Sequence, residues 1–507
     1  MSKIAVWFEH ERVLYFFAFT ASILLSFWLG YRETVINPDG ICYLLSAQMV
    51  GVATLTDVMH LCPQSQWPFY SILIHVFVQI SHLSYMAAAY LLDGFFSLVS
   101  IVTFILIVKE LGGSRRVLWL AAFVILLNHQ LNSVREYIIR DHGFWAFYLV
   151  SIFFMLRYFR KPKWVVAIIW NASLLLATLF RIEGAIFLFV MPFLSWFYFR
   201  YPKRTRAKFF FALNLPTIFV CVIIAIWFLV HPQQTVAKLG RISEIINQLQ
   251  HGLSMLSYRY QTSKMALAQY VLTPDSMGDA GEVLFLVWIS WYVLNVMGTL
   301  SAIYAILVIY AWWHKIASFS SRVIYGYLGV NVIVTLGFLA ERLFLSKRYL
   351  IALTLVLMLW VPFALDDLIK KWQNKRHAIA LAMAVFFIFI SSLGGMIDFG
   401  YSKSYIHDAG DWIAKNIPAN AALYANDFQL MFYSQHFGNR IFEKLPRYVQ
   451  INTIAHDQWK QYDYLALRVG KREVGDMDAV LQEINLIPIQ VFSNKRGDRV
   501  AIYKVGS

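Results

Sequence analysis

The sequence has little charge and little cysteine for its length. Only 14% of its 507 residues are Asp, Glu, Lys or Arg, whereas soluble domains average about 25%. Its three cysteines are too few for a disulfide framework and lack the spacing of a zinc site. Cys42 and Cys62 could pair, and the sequence leaves this open. The chain also has no glycine-rich phosphate loop, which argues against a nucleotide cofactor.

Apolar and aromatic residues are abundant instead. Hydrophobic residues make up 59% of the chain and aromatic residues 17%, as expected where rings anchor at bilayer interfaces. The first apolar run is longer than the roughly 7–15 residues of a secretory signal, and no cleavage site of small residues follows it. The sequence therefore predicts a polytopic α-helical membrane protein with a retained first span.

A spanning helix needs about 20 mostly apolar residues, and about eleven runs approach this length. The predicted spans are 13–30, 84–108, 117–131, 143–160, 164–181, 183–199, 209–230, 283–311, 323–340, 349–369 and 378–397. The apolar stretch 67–82 is shorter and begins with Trp-Pro, so we expect it to lie at the membrane interface.

The net charge of +15 is concentrated in alternate loops, among them "RYFRKPK" and "RYPKRTRAK". This is the pattern of the positive-inside rule rather than of a nucleic-acid binder. It predicts a cytoplasmic N-terminus, and an odd number of spans then places the C-terminus outside. We expect a bacterial inner membrane.

The remaining long segments fall on the outer side. They are the loops 31–83 and 231–282 and the tail 398–507, which carries nearly balanced charge. In the tail, "SYIHDAGDWIAKNI" has the pattern of a helix, and four short apolar segments have that of strands, with "SNKRGD" as a hairpin turn. The sequence thus predicts a membrane domain, 1–397, and a small soluble α/β domain, 398–507.

Asp39 is the first candidate for chemistry, because it stands just outside the first span. One interpretation is local: Asn37 caps a helix, Pro38 takes its first position and Asp39 complements the helix dipole. The other interpretation is a general base at the membrane surface. The two are compatible.

Two further outer turns carry charge beside apolar runs. Arg140 and Asp141 lie at the entry to the predicted fourth span, and ionisable residues at membrane edges tend to be functional. The alternative is a weak surface pair. Arg181 and Glu183 lie between the fifth and sixth spans. They either mark the bilayer edge or face a cavity for an anionic ligand.

Arg342, Lys347 and Arg348 form a basic outer cluster that opposes the general charge bias. A phosphate at headgroup height would explain it, because Arg and Lys bind phosphate through charge-assisted hydrogen bonds. The alternative is that these side chains reach toward lipid headgroups. The adjacent Tyr349 is a further candidate.

Taken in order, several motifs resemble the GT-C superfamily of glycosyltransferases. The similarity is closest to the branch of family 39 protein O-mannosyltransferases and bacterial aminoarabinose transferases. The motifs are "NPDGICYLLSAQ", "WPFYSILIHVFVQI", "VKELGGSRR", "IIRDHGFWAFYLVSIFFMLRYFR", "LFRIEGAIFLFVMPF", "SKRYLIALTLVLMLW" and "AGDWIAKNIPANAALYANDFQLMFYS".

The resemblance implies a membrane enzyme that transfers a sugar from a polyprenyl-phosphate carrier to a glycolipid, surface glycan or protein. It implies that Asp39 is the general base, Asp141 the second-loop carboxylate, and Arg348 and Lys347 the groups that hold the carrier phosphate. Mg²⁺ or Mn²⁺ between the two acids is an open possibility. Gly40 departs from the many relatives that have an acid directly after the first Asp.

Two other functions remain open on the sequence. An O-antigen ligase or polymerase would share the topology but use a pyrophosphate-linked donor. A lipid or sugar transporter would more often carry inverted repeats and broken helices, and the sequence has no evident repeat.

Overall fold

The computed structural model describes residues 11–32, 35–197, 201–230, 241–316, 322–418, 420–434, 458–471 and 486–505. Within these ranges we number the α-helices in chain order. They are α1 Glu11–Arg32, α2 Pro38–Met49, α3 Leu55–His60, α4 Phe69–Ser81, α5 Tyr85–Glu110, α6 Arg115–Leu126, α7 His129–Arg135, α8 Asp141–Arg160, α9 Trp164–Phe180, α10 Gly184–Val190, α11 Lys203–Val230, α12 Arg241–Tyr270, α13 Ala280–Leu300, α14 Ala302–Trp313, α15 Arg322–Arg342, α16 Lys347–Leu357, α17 Val361–Lys370, α18 Lys375–Met396, α19 Ser404–Asn416 and α20 Phe428–Ser434.

Short 3₁₀ turns and a small sheet complete the described elements. The turns are Pro63–Gln66, Met191–Phe197, Pro274–Asp279, Met358–Trp360 and Gln458–Gln461, and the strands are β1 Leu423–Ala425, β2 Tyr464–Val469, β3 Gln490–Ser493 and β4 Arg499–Lys504. The predicted architecture, a helical membrane protein with a small C-terminal α/β region, is confirmed.

The apolar helices coincide with the predicted spans. In the described ranges, eight helices are long and apolar enough to cross a membrane, and a ninth span results if the bent pair α6–α7 counts as one. Helices α9 and α14 and the segment Gly184–Phe197 are apolar but shorter. Helix α4, with 13 residues, is too short to cross, because about 20 residues are needed.

Two predicted spans are interrupted, and in each case a polar residue marks the break. Helices α6 and α7 meet at 49°, where the Asn128 side chain accepts a hydrogen bond from the Leu131 N–H at 2.9 Å. A side chain that caps the backbone in this way starts a new helix. The predicted span 283–311 divides at Ser301, whose φ of 76° is incompatible with a continuous right-handed helix.

The Cα positions divide into two compact units. We call the first the helical unit; it comprises Met1–Phe27, Leu91–Arg135 and Arg140–Ile397. The second, which we call the mixed unit, comprises Trp28–Tyr90, Glu136–Ile139 and Asp398–Ser507. The tail thus belongs with the first outer loop. The predicted boundary between residues 397 and 398 stays a prediction.

Helix α8 is anchored in the helical unit by a buried polar network. The Tyr327 hydroxyl bonds to the Ser151 hydroxyl at 2.8 Å and accepts from the Trp170 indole at 3.1 Å. Asn331 donates to the Tyr148 hydroxyl at 2.5 Å. All these polar groups are paired, which is the condition for a buried network to stabilise one packing arrangement. The network joins α8, α9 and α15, whose ends carry the charged residues considered below.

The sheet of the mixed unit has the order β1-β2-β4-β3. β1 pairs parallel with β2, from Leu423 opposite Tyr464, and the other pairs are antiparallel. Alternate residues face opposite sides of a strand, so Leu465 and Leu467 pack on one face and Ala466 on the other, where α19 and α20 lie. Helix α19, the four strands and the β3–β4 hairpin were predicted from the sequence, whereas α20 was not.

Candidate functional site

Asp39 lies in the first turn of α2, and the residue before this helix, Asn37, has extended backbone. The Asn37 side chain makes no capping hydrogen bond to this helix among the described residues. That part of the local interpretation is therefore wrong. The Asn37 amide instead binds the backbone of Ile138. Its Oδ1 accepts from the Ile138 N–H at 2.9 Å and its Nδ2 donates to the Ile138 carbonyl at 3.3 Å. Two segments 101 residues apart in the chain are thereby joined next to Asp39.

The Asp39 carboxylate is half-buried and accepts a hydrogen bond from the Gln64 amide at 2.7 Å. Gln64 lies two residues beyond Cys62, which is disulfide-bonded to Cys42 on α2, with a Cα–Cα distance of 6.1 Å. The pairing that the sequence left open is therefore present. It links the Gln64 loop covalently to the helix that carries Asp39.

Gly40 is required by the space around it. A Cβ at this position would lie 2.8 Å from Asn37 Oδ1 and 3.1 Å from side-chain carbons of Ile36 and Ile138. The departure from the family pattern thus has a steric basis, because an acidic side chain at this position would displace the Asn37–Ile138 contact.

In the helical unit, Asp141 and Arg181 form a buried ion pair. Arg181 donates to the Asp141 carboxylate through Nη1. It also donates two hydrogen bonds to Glu183, from Nη2 to Oε1 at 2.5 Å and from Nε to Oε2 at 3.3 Å. The alternative interpretation of Arg140 and Asp141 as a solvated surface pair is wrong, because Asp141 is buried and its partner is Arg181.

Glycine brings these charges together. A Cβ on Gly143 would lie 2.4 Å from the Phe180 ring, so only glycine lets α8 approach α9 this closely. Phe180 is the residue before Arg181, and Gly143 is two residues after Asp141. Gly184 follows Glu183, and a Cβ there would lie 2.7 Å from the Thr178 backbone nitrogen. The turn Arg181–Glu183 is therefore folded tightly back on α9.

Burial by itself would raise the pKa of Glu183, but the charge and hydrogen bonds of Arg181 outweigh it and lower this pKa to about 2. Glu183 is therefore ionised at every physiological pH.

Tyr349 links the predicted basic cluster to Arg181. The Arg181 guanidinium lies 4.6 Å from the centre of the Tyr349 ring, and Arg348 lies 5.3 Å from it. Phe338 packs on Tyr349 with ring centres 4.7 Å apart, and Arg342 lies 5.0 Å from the Phe338 ring. Cation–π contacts of this kind hold guanidinium groups in place without neutralising them.

Arg140 contributes an unsatisfied donor. It is 7% exposed, and its Nη1 has no hydrogen-bond partner among the described residues. Its charge acts on Asp141 and Glu183, and that of Arg348 acts on Asp141. Three guanidinium groups thus accompany two carboxylates, which leaves a positive surplus. A buried donor without a partner is costly, so an anionic ligand would stabilise this arrangement.

The Lys347 side chain has different neighbours from the adjacent Arg348 side chain. A Cβ on Gly298 would lie 3.9 Å from Lys347 Cε, and the charge of Lys347 acts on His129, whose ring is hydrogen-bonded to the Gly298 backbone. His129 was missed from the sequence, where a lone histidine in an apolar run carries no distinguishing signal.

The described residues contain no group of three or more His, Cys, Asp or Glu side chains that could hold a metal ion. Asp141 is already paired with Arg181, and there is no space for an acid at position 40. The divalent ion that the resemblance implies therefore stays a prediction. Asp39 belongs to the mixed unit and Asp141 to the helical unit, so their convergence on one site stays a prediction.

Comparison with known proteins identifies the class of fold. No family model matches the sequence, and no curated protein matches it. Solved structures do match, and they have the fold of GT-C membrane glycosyltransferases. The predicted GT-C fold is therefore confirmed.

Three solved structures illustrate the similarity. ArnT from Cupriavidus metallidurans, bound to undecaprenyl phosphate, matches with a TM-score of 0.50 and 12% identity over 96% of this chain and 97% of ArnT. The Archaeoglobus fulgidus oligosaccharyltransferase, in complex with Zn and sulfate, matches with a TM-score of 0.54 and 14% identity over 92% of this chain and 69% of its own. The oligosaccharyltransferase AglB from Archaeoglobus fulgidus, with an inhibitory peptide and a dolichol-phosphate, gives 0.51 and 11%, over 93% and 71%.

Proposed function

We propose that the protein transfers a sugar from a polyprenyl-phosphate-linked donor to an acceptor on the outer face of the membrane. The observation that carries the proposal is the cluster of Arg140, Arg181 and Arg348, with its positive surplus and the unsatisfied Arg140 Nη1. Arg140 and Arg181 are buried, and Arg348 is partly exposed. Two structures with the same fold are complexes with a polyprenyl phosphate. The ArnT complex aligns over 96% of this chain and 97% of its own, which supports the aminoarabinose-transferase branch.

Each group has a defined task in this mechanism. Asp39 takes the proton from the acceptor hydroxyl or amine as that atom forms a bond to the anomeric carbon. The bond from the anomeric carbon to the phosphate oxygen breaks, and the electron pair leaves with the carrier phosphate. The guanidinium donors of Arg140 and Arg348 stabilise the charge that develops there. Arg181 is already bonded to Asp141 and Glu183, and its task is to hold these two carboxylates in place. The proposed location is a bacterial inner membrane, with the N-terminus in the cytoplasm and the tail in the periplasm.

The test uses purified protein with undecaprenyl phosphate carrying aminoarabinose, mannose or glucose, and with the pyrophosphate counterparts. Mass spectrometry measures released carrier and glycosylated acceptor in a lipid, glycan and peptide mixture. Release from a monophosphate donor supports the proposal. Turnover of pyrophosphate donors alone would indicate a ligase or polymerase, and transport into vesicles without covalent change would indicate a transporter. Loss of turnover in EDTA, with recovery in Mg²⁺ or Mn²⁺, would establish the metal that the resemblance left open.

Asp39→Asn should reduce turnover by about 10²–10⁴-fold, the range for removal of a general base. The matched control is Asp57→Asn, in the same outer loop. Asp57 accepts from the Thr54 hydroxyl at 2.6 Å and caps its own short helix, so its turnover should match the wild type. An Asp39→Asn protein with wild-type turnover would remove Asp39 as the base.

A further inference from the structure

The residues just before Asp39 are held by the C-terminal tail. Val35 and Ile36 are buried, and the Val35 side chain is part of the apolar core formed by α19, α20 and the sheet. All these residues belong to the mixed unit. The tail therefore packs directly on the segment that leads into α2.

Two side chains of α20 bind both polar backbone groups of Ile36. The Ile36 N–H donates to the Tyr433 hydroxyl at 2.9 Å, and the Ile36 carbonyl accepts from the Gln429 amide at 2.7 Å. Ile36 has no regular secondary structure, so these bonds fulfil the role that a strand or helix partner would otherwise have. They fix the backbone three residues before Asp39.

The Gln429 side chain is itself held in place by Arg468, a residue of strand β2. Its Oε1 accepts from Arg468 Nη1 at 3.3 Å, and the same Arg468 nitrogen donates to Asp427 at 2.5 Å. Asp427 in turn accepts from the Gln429 N–H at 2.9 Å. The Gln429 amide is thereby oriented so that its NH₂ group, rather than its oxygen, faces Ile36.

Tyr433 depends on a close helix contact. A Cβ on Gly410, in α19, would lie 2.3 Å from Tyr433 Cβ, so glycine is needed for the two helices to meet at this point. The Tyr433 ring also packs on His407, with ring centres 4.5 Å apart. The Tyr433 hydroxyl thus reaches Ile36 from a closely packed pair of helices.

We propose that Gln429 and Tyr433 are positioning residues for Asp39, so that the C-terminal tail sets the catalytic geometry of the first outer loop. This inference rests on the proposed function of Asp39 as base. It deepens that proposal, because a domain without a catalytic group of its own becomes part of the machinery that places the base. The Asn37–Ile138 contact, two residues before Asp39, adds to this support.

The test compares Tyr433→Phe and Gln429→Met with the matched control Tyr424→Phe. Tyr424 lies in the same tail, and its hydroxyl is buried with no hydrogen-bond partner among the described residues. The first readout is hydrogen exchange of a peptide covering residues 35–41, which needs no substrate. Tyr433→Phe should accelerate this exchange about fivefold or more through loss of one hydrogen bond, whereas Tyr424→Phe should leave it unchanged. Exchange in β2 and β4 reports whether each variant is folded.

The second readout is steady-state turnover with the undecaprenyl-phosphate sugar that the donor panel identifies. Each positioning variant should lower kcat about fivefold to tenfold with the donor KM unchanged, because small misplacement of a catalytic group lowers the rate more than it weakens binding. A merely structural role would leave kcat per folded molecule unchanged.

Unchanged exchange at residues 35–41, or kcat equal to that of Tyr424→Phe, would overturn the inference while Asp39→Asn still abolished activity. If Asp39→Asn were fully active, the proposed base would fail instead, and the exchange result would still report whether the tail holds Ile36. The two failures are therefore distinguishable.

Discussion

The sharpest prediction of the structure concerns the loss of stability when Arg181 is replaced. It is buried, and it is bonded to two carboxylates, Asp141 and Glu183. Arg181→Met keeps the length of the side chain but leaves both acids without their main counter-charge. Breaking one buried ion pair by removing a partner costs about 3–5 kcal/mol, and the double contact places the expected loss near the upper end.

The free energy of unfolding can be measured by titration with SDS in mixed micelles. Arg157→Met is the matched control, because Arg157 also pairs with an acid, Glu110 at 3.7 Å, and also lies over a ring, but its side chain is 53% exposed. An exposed pair of this kind contributes below about 1 kcal/mol.

A compensated variant tests whether the three charges depend on one another. Arg181→Met combined with Asp141→Asn and Glu183→Gln removes all three charges, so most of the lost stability should return. A loss below about 1 kcal/mol for Arg181→Met, or a triple variant no more stable than the single one, would refute the claim that these charges are desolvated and mutually dependent.

Three further predictions follow from the geometry. Gly40→Asp should lower the free energy of unfolding by about 1–3 kcal/mol through overpacking, as measured by thermal unfolding. Gly337→Ala should not, because the added Cβ would lie in open space. Cys62→Ser should destabilise by about 3 kcal/mol, because the disulfide closes a 20-residue separation in the unfolded chain; a dithiothreitol titration of the wild type should show the same loss. The depressed pKa of Glu183 stabilises the fold above its unfolded pKa of about 4.3, so the stability gap to Glu183→Gln should stay constant from neutral pH down to about 5 and shrink as pH falls toward 2.

Several features could be predicted without the structure because their signals are local. Apolar runs located the spans, and alternating patterns located the tail strands and the hairpin whose turn holds Gly497 at a φ of 100°. Charged residues at the ends of apolar runs pointed to Asp141, Arg181 and Glu183, which the structure brings into contact. Where local prediction failed, as at Asn128 and Ser301, a polar residue interrupted a run whose overall hydropathy was still high enough to span.

Partnerships between distant residues were decided by tertiary structure. Asp141 meets Arg181 because Gly143 and Phe180 let two helices approach, and Asn37 turns from its own helix to a backbone 101 residues away. Gly40 was an unexplained departure until its neighbours were known. By itself the sequence determined which segments are helices, strands and turns, and which residues carry charge at the membrane edge, since hydrophobicity and capping act over a few residues. Only the fold decided which charge each one faces, because that depends on contacts between segments that are far apart in the chain.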